Sequence, residues 1–143
     1  MSRIIINIPD TFIFSTKIPI RVSDINRHEH VGWDSFFRII SEANVQFWNS
    51  LDYSEPKGGK TSRIMVEAGI NYKKQAYYGQ TLIVEIAVAE VTERGFSLVY
   101  KVTNMDDGIE IARAKTGFLC FDYHGQKVIP IPEELRNKLK IVN

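Results

Sequence analysis

One polar run, Ser23-Asp24-Ile25-Asn26-Arg27-His28-Glu29-His30, followed by Val31-Gly32-Trp33-Asp34, concentrates side chains able to move protons. A carboxylate or imidazole in such a run can take a proton from water. Gly32 to Asp34 lie where a loop passes into a helical pattern, and the first N–H groups of a helix have no acceptor inside it. Donors placed there can stabilise negative charge that develops on a carbonyl oxygen. Asp34 has three readings: an N-cap or first-turn acid, an ion-pair partner of Arg38 four residues on, or a base for water. Asn26 either bonds its own loop backbone, as Asn commonly does, or orients a bound molecule. His28 and His30 flank Glu29, but this is not the His-Glu-x-x-His pattern and no third ligand stands nearby, so metal is not expected. His30 then holds the loop by a hydrogen bond or acts as a base. Glu42 falls on an apolar helix, where a buried unpaired charge is costly, which points to a supporting polar role. Cys120, in Phe118-Leu119-Cys120-Phe121, has no electropositive neighbour and reads as a small core hydrophobe.

These residues need elements to position them. Ile13 to Val22 reads as a strand, with Pro19 marking an edge or bulge. From Trp33 the apolar residues Phe36, Ile39, Ile40, Ala43 and Phe47 recur at helical spacing, and Phe37, Trp48 and Leu51 widen the stripe, so the helix must be covered on several sides. It is expected to end near Leu51, before a loop from Asp52 to Lys60. Period-two runs follow: Ile64 to Tyr72, Leu82 to Val88, Phe96 to Val102 and Ile111 to Tyr123. Turn chemistry at Tyr78-Gly79-Gln80, Glu93-Arg94-Gly95, Asp106-Asp107-Gly108 and His124-Gly125 joins them. Glu133 to Leu139 forms a short closing helix with Pro132 at its first position. No helices separate the later strands, which excludes a parallel sheet and predicts an α+β domain: an antiparallel sheet of about five strands wrapped around a long central helix. Met65, Ile83, Ala87, Val99, Ala112 and Ala114 add apolar character beyond the core face, so the outer face or an edge is expected to pair with a second copy.

The 143 residues, with 18 Lys and Arg against 17 Asp and Glu and 44% hydrophobic content, fit one globular domain over 1–143. The net charge of +1 argues against nucleic-acid binding through a broad basic field. A single cysteine gives no internal bridge. No run approaches the roughly 20 apolar residues needed to cross a bilayer, and Met1 to Asp10 is too short for a signal peptide. A cytoplasmic location and no membrane insertion are therefore expected.

Several segments together resemble the hotdog-fold acyl thioesterases of the hydroxybenzoyl-CoA thioesterase type. Ile20-Arg21-Val22-Ser23-Asp24-Ile25-Asn26, then His30-Val31-Gly32, is similar to that family's Asp-x-Asp followed by Gly-His-Val-Asn-Asn. Ser41-Glu42-Ala43-Asn44-Val45-Gln46-Phe47 is similar to its helix motif. Ile70-Asn71-Tyr72-Lys73-Lys74 with Tyr78-Gly79-Gln80-Thr81-Leu82, and the ending Ile131-Pro132-Glu133-Glu134-Leu135, match further pieces. The departures bear on activity. Asn26 stands where the family commonly has the catalytic Asp, and an amide can orient but not deprotonate. Gly32-Trp33 replaces Asn-Asn, with Asp34 next. Asp24-Ile25-Asn26-Arg27-His28 also spells the Asp-x-Asn-x-His of a branch resembling acyl carrier protein thioesterases, in a register two residues ahead of the His30-Val31 anchor.

The resemblance implies hydrolysis of an acyl-CoA or acyl carrier protein thioester. Asn26, Asp34 and His30 would act at the reacting centre, with the Gly32 and Trp33 backbone as oxyanion donors and Asp24 and Glu42 in support. Tyr72, Lys73, Lys74 and Tyr78 would contact the substrate, and Tyr77 could join them in lining its channel. It implies no metal and no cofactor, coenzyme A entering only as part of the substrate, and a homodimer or homotetramer with the site between copies. The alternatives are a non-hydrolytic acyl-CoA binding protein on the same fold, a hydratase, and a purely structural interaction protein.

Overall fold

In a computed structural model of the chain, residues 2–53 and 61–141 are described. Residues 54–60 of the expected Asp52 to Lys60 loop lie outside them. The elements are β1 (Phe14–Pro19), a 3-10 turn (Val22–Asp24), α1 (Trp33–Ser50), β2 (Thr61–Tyr72), β3 (Thr81–Ala89), β4 (Gly95–Asn104), β5 (Glu110–Asp122), β6 (Lys127–Val128) and α2 (Glu133–Lys138). All strand pairs are antiparallel, in the order β1-β3-β4-β5-β2, with the two-residue β6 beside β5. The first expected strand is shorter than read: it stops at Pro19, which supplies no further ladder donor, and Val22 to Asp24 wind into the 3-10 turn. Pro132 sits one place earlier than expected, as the N-cap of α2.

The α1 stripe Phe36, Ile39, Ile40, Ala43, Phe47 and Trp48 is buried against Leu82, Val84 and Ile86 of β3, Leu98, Tyr100 and Val102 of β4, and Ala112, Ala114 and Phe118 of β5. Alternation puts these strand residues on one sheet face. Tyr100 is fully buried, and its hydroxyl is satisfied by Thr116 Oγ1 (2.7 Å) and by the amide of Asn44 (2.9 Å). Burial raises its pKa, against the opposing pull of both bonds. In β2 the strict alternation read from sequence breaks: Met65 faces Phe118 and Glu67 faces Gly117, leaving Val66 as a bulge. Gly95 opens β4 where only glycine fits, since a Cβ there would stand 2.4 Å from the Phe118 carbonyl oxygen.

Two expectations about exposure need correction. Part of the outer sheet face is covered by the chain itself: Ile6, Ile8 and Phe12 pack on Ala87, Val99 and Ala89, while Ala112 and Ala114 belong to the inner core and Met65 stays exposed. This N-terminal strap crosses the strands, with the Ile13 N–H on the Ile86 carbonyl (2.9 Å), Arg113 on the Ile6 carbonyl (3.2 Å) and Asn71 on the Ile4 carbonyl (3.3 Å). Conversely, α1 is not covered all round. Trp33 (72%), Phe37 (41%) and Val45 (52%) remain exposed at multiples of four residues, beside exposed Met65 and Val66 of β2.

Candidate active site

The loop before α1 is closed by Asp24 and Asn26. The buried Asp24 carboxylate accepts the Arg21 N–H (2.8 Å), and its carbonyl accepts the Gly32 N–H (3.2 Å), so one residue ties both ends of the loop. Asn26 donates its N–H to the His30 carbonyl, takes the Glu29 N–H on its own carbonyl and the His28 N–H on Oδ1, each at 2.9 Å. Glu29 adopts a left-handed φ of 67° to make this turn. Bridges from Ile25 to Val31 and from His30 to Tyr77 fix the returning strand to the segment after β2. The His28 and His30 rings stack at 6.1 Å, and Tyr77 meets His30 edge-on at 6.3 Å.

Of the structural readings of Asp34, the helix start bears out the first-turn acid and not the N-cap. Gly32, in extended conformation, is the N-cap and gives no side-chain cap; Asp34 is the second helical residue. Arg38 does not turn to Asp34 but donates to Ser35 Oγ (2.8 Å) and the Ser23 carbonyl (3.0 Å). The Asp34 carboxylate instead folds back over the helix start, with Oδ1 2.7 Å from where a Cβ on Gly32 would lie. With the Gly32 N–H given to Asp24, the Trp33 N–H is the first of the helix itself, and it has no acceptor among the described residues. Tyr72 secures this end of the helix: its hydroxyl donates to the Trp33 carbonyl (2.8 Å) and its ring meets Phe36 at 5.4 Å. Burial, and then the Asp34 charge, push the Tyr72 hydroxyl above its ordinary pKa, so it remains a donor at neutral pH.

A cleft of about 330 Å³ at this point gathers Asn26, His30, Trp33, Tyr72, Lys73 and Lys74. Phe36 and Gln75 also line it; sequence reading placed Phe36 only in the core stripe and passed over Gln75, although Phe36 is one helical turn from Trp33. Asp34 lies at the helix start beside the cleft rather than among its lining residues. Asp24 and Glu42 face a separate groove of about 250 Å³ that also holds Arg21 and Arg38, and exposed Glu42 accepts a bond from Gln46 (2.9 Å). Tyr78 is exposed outside the cleft, and Tyr77, through His30, stands nearer the site. Lys73 is shared with Glu110, 3.9 Å away, which Arg113 also holds at 2.6 Å. Burial works to raise the Glu110 carboxyl, but Arg113 and Lys73 overcome it and hold the group below the usual carboxylate value. Among the described residues Lys74 has no ion pair, and no cluster of three or more His, Cys, Asp or Glu could hold a metal.

This geometry can polarise a carbonyl at the Trp33 N–H and orient a bound group with the Asn26 amide, whose Oδ1 is occupied and whose NH2 has no partner among the described residues. His30 or Asp34 is within the same neighbourhood to take a proton.

The sequence model of the thioesterase-like superfamily matches residues 20–139, and the chain belongs to that family. The N-terminal strap falls before the matched region. Among individual proteins, the long-chain acyl-CoA thioesterase FadM of Escherichia coli is 25% identical over 129 residues, covering 87% of this chain and 96% of that protein. A 1,4-dihydroxy-2-naphthoyl-CoA thioesterase from Synechocystis has the same fold, with a TM-score of 0.82 at 20% identity over 90% of this chain and 96% of that one. A Staphylococcus aureus protein solved in complex with CoA also shares it, with a TM-score of 0.81 at 16% identity, over 89% and 81% of the respective chains. The hotdog fold is thus that of the molecule. No helix among the described residues is long and apolar enough to cross a membrane.

Proposed function

We propose that this protein is an acyl thioesterase acting on acyl-CoA in the cytoplasm, with its site at the N-terminus of α1. The observation that carries the reading is the cleft in which the unpaired Trp33 N–H, the Asn26 amide and His30 converge beside Lys74, on a chain of the thioesterase-like superfamily. The thioester carbonyl oxygen sits on the Trp33 N–H, while Asn26 orients the carbonyl or the attacking water. Asp34 takes the proton as water attacks the carbonyl carbon. The carbon–sulfur bond then breaks, the acid is released and the thiolate leaves with a proton returned from the base. Lys74 meets a phosphate of the CoA moiety, with Lys73 available when it parts from Glu110. A second copy completes the site along the open α1 and β2 surfaces, as a homodimer or a tetramer of two such pairs.

The test is thiol release from acyl-CoA substrates of short, long and aromatic chains and from acyl carrier protein thioesters. Turnover is expected on acyl-CoA, with Asp34→Asn lowering kcat by about 10² to 10³ and His30→Gln by less. A greater loss in His30→Gln would move the base to the imidazole. Stabilisation by CoA thioesters without thiol release would favour the non-hydrolytic binding protein, and silence across all substrates would refute the reading.

A further inference from the structure

The cations around Glu110 outnumber the charge that holds them. Lys101 of β4 and Arg113 of β5 are directly opposite in register, on the sheet face that carries the strap. Like charges so placed repel, and a fold keeps them at a cost. Arg113 grips the Glu110 carboxylate through Nε (2.6 Å) and Nη2 (3.2 Å), and Lys73 stands 3.9 Å from the same group. The Lys101 charge is felt at Glu110, yet Lys101 makes no ion pair among the described residues, not even with Glu85 opposite it on β3. Two residues along β5, Lys115 shows the ordinary arrangement, one cation held by Glu67 (3.1 Å) and Glu90 (2.7 Å).

This surplus charge is open to solvent. The Lys73 side chain is 38% exposed and that of Arg113 30%, and Lys101 is half-buried. Arg113 spends one N–H on the Ile6 carbonyl and two on Glu110, which leaves two of the five donors of its guanidinium. Its register partner Asn71 holds the Ile4 carbonyl (3.3 Å), so the strap borders the cluster. The strap precedes the residues 20–139 matched by the family model, and this border is therefore a feature of the chain outside that pattern. Lys73 also lines the cleft at the start of α1. An elongated ligand that leaves the cleft past Lys74 and Lys73 meets Arg113 and Lys101 next.

We propose that Lys73, Lys101 and Arg113 bind a terminal phosphate monoester, the 3′-phosphate of the CoA nucleotide, beyond the phosphate contact of Lys74. Such a group carries close to two negative charges at neutral pH and three acceptor oxygens, which suits three cations that share one carboxylate. Glu110 keeps Arg113 in place, and the phosphate takes the open side of Lys73 and Lys101 with the remaining guanidinium donors. The inference rests on the thioesterase reading for the direction in which CoA lies, acyl end at Trp33. It adds a choice of carrier: the prosthetic arm of an acyl carrier protein is joined through a phosphodiester and has no terminal phosphate, so the site favours CoA thioesters.

Two ligand pairs that differ only in this phosphate test the proposal by calorimetry: CoA against dephospho-CoA, and adenosine 3′,5′-bisphosphate against AMP. The 3′-phosphorylated member of each pair is expected to bind about tenfold tighter at low salt, the effect of one charge-assisted contact, and the ratio should shrink as salt is added. Lys101→Met, which keeps the apolar stem and removes the charge, should bring the ratio to about two. In turnover, decanoyl-CoA should exceed decanoyl-dephospho-CoA about tenfold in kcat/KM, through KM, with the same collapse in Lys101→Met. A tenfold Kd ratio without thiol release would sink the thioesterase reading and leave the phosphate site standing; thiol release at equal rates from both thioesters would do the reverse. Equal Kd within both pairs, no binding of CoA, or a ratio that survives Lys101→Met in the folded variant overturns the proposal. So does an equal loss of turnover on acyl carrier protein thioesters in that variant, which would make the cluster a protein-docking patch.

Discussion

At Asn26 the molecule has an amide where a carboxylate would supply an obvious base, and the bonds around it show what that amide does. Its Oδ1 and both backbone groups are spent on the turn, so its NH2 is the part left to meet a ligand. Tyr72 has a comparable division of labour. Sequence reading makes it a substrate contact, yet its hydroxyl is given to the Trp33 carbonyl and its ring edge to Phe36. These contacts fit a positioning role at the helix start, held together with its place in the cleft lining. Tyr72→Phe should therefore lower kcat by about tenfold with little change in KM, since the interaction it supports strengthens only as charge develops on the carbonyl oxygen. Loss of stability should be about 1 kcal/mol. An unchanged kcat in the folded variant would assign Tyr72 to packing alone.

Among elements, the strap tests how the fold is held. Ile6 is 5% exposed in a small cluster with Ala87 and Val99, on the sheet face opposite α1. Ile6→Ala should cost about 2 kcal/mol in denaturant unfolding, the low end for a buried aliphatic in a cluster that can partly collapse. Thiol release should persist, because the cleft lies on the other face. A fall in kcat larger than the stability loss explains would show the strap acting on the site. The helix and the four later strands were legible in sequence because each carries a long, regular period. The strap was not: Ile4-Ile5-Ile6 has no alternation, and only the tertiary structure shows Ile6 turned inward while Ile4 and Ile5 stay exposed. For similar reasons the loop residues of the site could be picked by type, but not their pairing. That Gly32 loses its N–H to Asp24, Lys73 is shared with Glu110, and Glu42 faces another groove are facts of long-range geometry that no spacing encodes.

At the scale of the whole molecule, the apolar surface left open has a definite place. The strap covers part of the outer face, but Trp33, Phe37 and Val45 along α1 and Met65 and Val66 of β2 remain exposed, Trp33 at the cleft itself. β2 is also the end strand of the sheet, with twelve residues and its outer edge unpaired among the described residues. A long edge of this kind invites pairing unless it is covered, and an antiparallel match to a second copy of itself is self-complementary about a two-fold axis. Such a dimer would cover both the edge and the open side of α1, and would wall the cleft that each protomer leaves accessible. The near-zero net charge sets no strong long-range repulsion against it. The expected mass in solution by light scattering is therefore a dimer or a multiple of it. Val45→Arg, on the exposed face of α1, should shift the mass towards the monomer while leaving the circular dichroism of the fold intact. Thiol release should fall in step with the lost dimer and recover in part at high protein concentration, as mass action requires. A monomeric wild-type protein with full turnover would show that one chain completes its own site, and the open α1 and β2 surface would then need another explanation.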